Sequence, residues 1–130
     1  MFKKINLPSQ PSFLRRWLSY VWEQKVQTTS SEFNPYLEVV LSKGRFQLNT
    51  EHATYSFEDL YDNYYRTFKK YNLQNRQLQK VLVLGLGLGS VPLMLQGHFK
   101  QGQAHFFGVE IDEVVIELCR QYIRPNLSKR

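Results

Sequence analysis

A chain of 130 residues and 15.5 kDa holds one domain with a modest core, not two. Hydrophobic residues at 42% and charged residues at 22% are ordinary for a globular chain, and no apolar run approaches the roughly 18 residues of a bilayer span. The net charge of +6, from 17 basic against 11 acidic side chains, keeps a nucleic-acid partner among the readings to be weighed.

Met1 to Pro8 carries basic residues but no apolar stretch long enough for a signal peptide. Residues 12–27 read as an amphipathic helix. Ser12 caps it, and Phe13, Leu14, Trp17, Leu18, Val21 and Trp22 recur at helical spacing opposite Arg15, Arg16, Glu23 and Lys25. Such a stripe suits packing against a neighbouring element or a second subunit. Tryptophans beside basic residues also describe a helix lying on a membrane surface. Residues 28–35 end in Asn34-Pro35 and read as a polar linker, so 1–35 forms a first segment of helix and linker.

Beyond Pro35 the period changes to two. Residues 36–41 are β-prone, Lys43-Gly44 is a turn and residues 45–49 alternate polar with apolar, which predicts a β-hairpin. His52-Ala53-Thr54-Tyr55 is a third extended stretch. Ser56 with Asp59 three residues on resembles a capping box, and predicts a helix whose stripe is Phe57, Leu60, Tyr61, Tyr64, Phe68 and Tyr71. A polar connector over 72–80 closes the second segment, 36–79.

The third segment, 80–130, is the most informative. Val81-Leu82-Val83-Leu84 is a continuous apolar run, as expected of a parallel strand buried on both faces. Gly85-Leu86-Gly87-Leu88-Gly89 follows at once, and then a helix with Pro92 in its first turn, where a missing N–H costs nothing. A second strand over 104–109 ends in Glu110, placed 21 residues beyond Gly89. Asp112 caps a last helix over 113–122, stopped by Pro125. Strand, glycine bend, helix, strand and terminal acid make a nucleotide-site pattern, in which the acid accepts ribose hydroxyls. Ser90 stands at the last glycine position of the dinucleotide fingerprint, and no Gly-Lys-Ser/Thr of a phosphate loop is present. S-adenosylmethionine and its relatives remain. The fold class expected is therefore α/β: an N-terminal helix and small β-hairpin domain followed by an incomplete Rossmann-like βαβα unit.

Two blocks carry a family resemblance. Residues 37–48 with Ala53-Thr54-Tyr55-Ser56, and residues 81–90 with Val109-Glu110-Ile111-Asp112-Glu113, resemble the spermidine synthase family (polyamine aminopropyltransferases) within the class I S-adenosylmethionine-dependent methyltransferase fold. The resemblance spans 36 to about 124. It implies a site for S-adenosylmethionine or decarboxylated S-adenosylmethionine. Gln47 would meet the methionine-like end, Gly85, Leu86, Gly87 and Gly89 would form the bend, and Glu110 would hold the ribose. Leu88 stands where the family has an acidic residue, Ser56 where it has histidine and Phe57 where it has glutamate. The groups that grip a cationic amine are thus replaced. From Val81 onward only 50 residues follow, without the later strands that supply the family's adenine-binding acid and proton-abstracting aspartate. The chain therefore reads as the front part of a larger enzyme, with binding expected and no catalytic residue of its own.

Two other classes stand beside this one. An incomplete sheet with aromatic helices suits an interaction module that pairs with another subunit or a second copy. Arg66, Lys69, Lys70, Arg76 and Lys80 suit nucleic acid, although bases late and acids early in helices follow from the helix dipole alone. The basic tail Arg120, Arg124, Lys129 and Arg130 fits the same rule. Cys119 lies in the last helix, an inert place, and a lone cysteine without disulfide or metal partners makes the cytosol the simplest compartment. His52, His98 and His105 occupy ordinary structural positions, and no metal-ligand set stands out.

Overall fold

The computed structural model describes residues 11–123; the leader stretch, Pro125 and the tail residues Arg124, Lys129 and Arg130 lie outside the described residues. The fold is mixed α/β. A four-stranded antiparallel sheet, ordered β1-β2-β3-β4, comprises β1 (Gln24–Thr29), β2 (Leu37–Ser42), β3 (Arg45–Thr50) and β4 (Thr54–Ser56). A two-stranded parallel sheet comprises β5 (Lys80–Leu84) and β6 (His105–Val109). The helices are α1 (Phe13–Leu18), α2 (Asp62–Lys70), α3 (Ser90–His98) and α4 (Glu113–Tyr122). Among the described residues no helix is long and apolar enough to cross a membrane.

The hairpin forms as expected, and its turn explains its register. Lys43 (φ 50°) and Gly44 (φ 73°) both adopt positive φ, the two-residue turn whose twist matches that of the flanking strands. Ser42 then pairs with Arg45, Leu41 with Phe46 and Val39 with Leu48, so the apolar residues of both strands share one face. On that face lies α4, whose Val115, Leu118, Cys119 and Tyr122 recur at helical spacing. The rings of Phe46 and Tyr122 lie 4.8 Å apart, and the Tyr122 hydroxyl donates to Gln27 Oε1 at 2.6 Å. A second cluster packs α3 (Met94, Leu95) and Phe99 against Phe68 of α2 and against Val81 and Phe106 of the parallel sheet.

Four expectations change. The first helix stops at Leu18, and the rest of the stretch 12–27 turns and becomes β1. Ser19 ends the helix by tertiary contact: it is buried, its carbonyl accepts from Lys43 N and its hydroxyl from Gly44 N. Gln24, Lys25, Gln27, Thr28 and Thr29 then pair along the edge of β2, with the register shifting at Val26. The aromatic stripe is left exposed, with no buried residue on α1.

The stretch 28–35 is only partly a linker. Thr28 and Thr29 belong to β1, while Ser31 and Asn34 both donate to the buried Asp112 carboxylate at the start of α4. Next, Ser56 ends β4 and opens no helix; a short 3-10 turn (Glu58–Leu60) intervenes before α2 begins at Asp62. Of the stripe drawn for that helix, Leu60, Tyr64 and Tyr71 are exposed.

Finally, the apolar run of β5 is covered on one face only. Val83 is buried, while Leu82 and Leu84 (75% exposed) face outward beside their register partners Phe107 and Val109. The reason is that α3 covers one face of the parallel pair and α4 goes to the antiparallel sheet instead.

Candidate functional site

The parallel strands β5 and β6 end side by side, Leu84 against Val109. The glycine bend follows β5 directly, with Gly85, Gly87 and Gly89 at φ of 77°, 56° and 82°, a region costing an L-residue about 1–2 kcal/mol. Backbone geometry therefore favours glycine at these positions. At Gly87 a side chain would also be crowded, since a Cβ there would lie 3.1 Å from Ser56 Cβ.

Glu110 reaches this bend. Its Oε2 accepts from Gly87 N at 3.0 Å, and its Oε1 accepts from Ile111 N at 3.0 Å and Asp112 N at 3.3 Å. Of the roughly four acceptor positions of a carboxylate, one remains for an outside donor. The side chain is half-buried, and Gly85 beside it is exposed, with open space where a Cβ would stand. Tyr55 shares the neighbourhood. Burial and then the negative charges of Glu110 and Asp112 push its phenol above the ordinary value.

The amides of the bend are all engaged within the chain. Gly85 N and Leu86 N donate to Val109 O, Gly87 N to Glu110, Leu88 N to Ser56 Oγ and Gly89 N to Leu86 O. A phosphate cradle needs such donors pointing outward, so this bend does not offer one. What it offers is a shallow surface at Gly85 and one carboxylate, which suits hydroxyls better than anions.

The structure brings together Gly85, Leu86, Gly87, Gly89 and Glu110. Leu86 folds inward, its side chain against Gly108, where an added Cβ would meet it at 2.9 Å. Gly87 and Gly89 are buried, so the open part of the bend is its Gly85 end. Gln47 stands apart. Its Nε2 donates to Asn49 Oδ1 (2.7 Å) and Thr54 Oγ1 (3.2 Å), on the wall of a cleft with Glu23, Tyr36 and Glu38, to which the glycine bend contributes nothing.

Ser56, which local pattern placed at a helix start, and Ser90, the first residue of α3, hold the site. Ser56 Oγ accepts from Leu88 N (3.1 Å) and shares a hydrogen bond of 2.8 Å with Ser90 Oγ, which also accepts from Phe57 N. Both serines are buried, and together they tie β4 to the glycine bend. Spacing along the chain carries no sign of this pair, 34 residues apart.

Asp112 caps α4 as expected, accepting from Val114 N at 3.0 Å. Burial raises its carboxyl, but the hydrogen bonds from Ser31, Asn34 and the backbone outweigh it and leave the group below the ordinary range. Cys119 is buried and its thiol is pushed up to about 11, chiefly by that burial, which disfavours the reactive thiolate.

Comparison of the chain with family models, with curated proteins and with solved structures found no match in any of the three.

Proposed function

We propose that this is a spermidine synthase-like, S-adenosylmethionine-dependent methyltransferase-like chain that binds an adenosylmethionine-type nucleoside at the end of an incomplete Rossmann-like unit. The observation that carries the reading is the Glu110 carboxylate seated on the glycine bend, 3.0 Å from Gly87 N, where β5 and β6 end together. A carboxylate so placed can accept a ribose hydroxyl while the side-chain-free Gly85 lets the rest of the ligand lie close to the backbone. Engagement of every bend amide within the chain supports a ligand whose sulfonium end, not a phosphate, lies against the loop. The activity drawn from it is binding; no residue is assigned to a transfer step.

Isothermal titration with S-adenosylmethionine and with S-adenosylhomocysteine tests the reading. Heat of binding is expected at ligand concentrations of about a millimolar or below. Glu110→Gln removes the charge that strengthens the ligand's hydrogen bond, an expected loss of about ten- to a hundredfold in affinity, with the circular dichroism spectrum unchanged. No heat from the folded wild-type chain, or equal heat from the variant, overturns it.

One observation favours a second reading, an interaction module. Leu82, Leu84, Phe107 and Val109 form an uncovered apolar face on a sheet of only two strands. If that face pairs with a second copy, light scattering reports a dimer that Glu110→Gln leaves intact; a monomer at high concentration removes this reading.

A further inference from the structure

The aromatic residues around α1 have no role in the nucleoside reading, and their placement has a chemistry of its own. We propose that α1 and the turn after it dock the protein on an anionic membrane surface. Phe13 (87% exposed), Leu14, Trp17 (58%), Val21 and Trp22 (56%) lie within ten residues of one another and all are exposed. Phe13 and Trp17 are spaced four apart on α1, which stacks them along one side, and Val21 and Trp22 follow in the turn after it. Large rings of this kind, amphipathic in the case of tryptophan, favour the headgroup boundary of a bilayer.

The corner is held firmly enough to insert as a unit. Arg16 Nη1 donates to Gly44 O at 3.0 Å, Lys43 N to Ser19 O at 2.9 Å, and the Tyr20 ring lies against Gly44. These contacts attach α1 to the β2–β3 turn and leave its aromatic side outward. They also bring Lys43, itself exposed, to the same corner.

Charge selects the occupant. Among the described residues up to Trp22, Arg15 and Arg16 are basic and none is acidic. Arg15 is exposed and its Nε donates to the neutral Gln24 amide, so its charge is not cancelled there. The first acid, Glu23, lines the separate cleft with Glu38 and Gln47. A second copy would bring the same basic corner and the same net charge of +6. A surface of phosphatidylserine supplies the opposite sign, and each basic residue near such a surface strengthens attachment about fivefold.

Trp17 and Trp22 are the only tryptophans of the chain, so its emission reads this corner alone. The full chain is mixed with vesicles of phosphatidylcholine, with or without phosphatidylserine. With phosphatidylserine the emission is expected to shift to the blue and the protein to sediment with the vesicles; high salt reverses both. Phe13→Ala with Leu14→Ala keeps both reporters and weakens binding about tenfold or more. Arg15→Gln weakens it about fivefold. No shift with phosphatidylserine vesicles, equal binding to both vesicle types, or sedimentation without a tryptophan shift overturns the proposal. A blue shift that grows with protein concentration in the absence of lipid assigns the corner to a second copy and overturns it equally.

Discussion

Leu88→Asp, which puts an acid into the glycine bend, is expected to unfold this chain. Leu88 is 0% exposed and packs in the cluster that joins Leu37, Leu48, Val115 and Leu118. An unpaired carboxylate there meets a penalty of several kcal/mol, comparable with the whole stability of about 5–15 kcal/mol typical of a domain. Leu88→Ala leaves a cavity and costs about 2–5 kcal/mol, whereas Leu88→Met conserves volume and costs less than about 1.5 kcal/mol. Urea denaturation followed by circular dichroism ranks the three. An aspartate variant with the parent's midpoint would mean that residue 88 is not core. The position thus belongs to packing in this chain.

The second large effect is a loss of stability as pH rises from about 4.5 to about 7. Glu58 is 8% exposed in the 3-10 turn before α2, where its Oε1 accepts from Phe46 N at 2.6 Å. Burial pushes its carboxyl up to about 7, against the Phe46 hydrogen bond and the charge of Arg45, which act to lower it. In the unfolded chain the same group titrates near its ordinary value of 4.5. Between those two values the folded state holds a proton that the unfolded state has released, so stability falls as pH rises across the window and levels off above it. At 1.36 kcal/mol per unit the full change is about 3 kcal/mol. Glu58→Gln keeps an oxygen for Phe46 N and removes the titration. Urea midpoints at about pH 5 and about pH 8 should therefore diverge in the wild type and converge in the variant. Identical behaviour of the two proteins would show that Glu58 ionises normally.

Asp59, the next residue, behaves in the opposite sense. Burial acts to raise it, but the 2.6 Å hydrogen bond and ion pair with Arg45 overcome this and leave it below its ordinary value. Its contribution is lost only as pH falls through that lowered value, outside the window that isolates Glu58.

Glu58 and Asp59 also mark how far local pattern carries. Both read as acids at the start of the long helix; they lie instead in the 3-10 turn before it, Glu58 bound to Phe46 N and Asp59 to Arg45. Glu58 lies at φ 34° with its carboxyl turned inward, a choice made by β3 and not by its own neighbours. Likewise the spacing of Phe13 to Trp22 supports a helix of either length; the hydrogen bonds of Ser19 to the β2–β3 turn shorten it.

The elements that sequence alone determined are those governed by contacts a few residues apart. Lys43-Gly44 sets a two-residue turn, alternation of Val39, Leu41, Phe46 and Leu48 sets a face, three glycines permit positive φ and Asp112 caps its own helix. Tertiary structure decided the rest: the pairing that made residues 24–29 a strand, the Ser56–Ser90 contact, the burial of Glu58 and Leu88, and the exposure of Leu82 and Leu84. The burial of Leu88 and the exposure of Leu82 and Leu84 follow from which apolar face α4 covers. A stripe of Val115, Leu118, Cys119 and Tyr122 records that the helix has a buried side but not what buries it, because hydrophobic burial has no direction of its own.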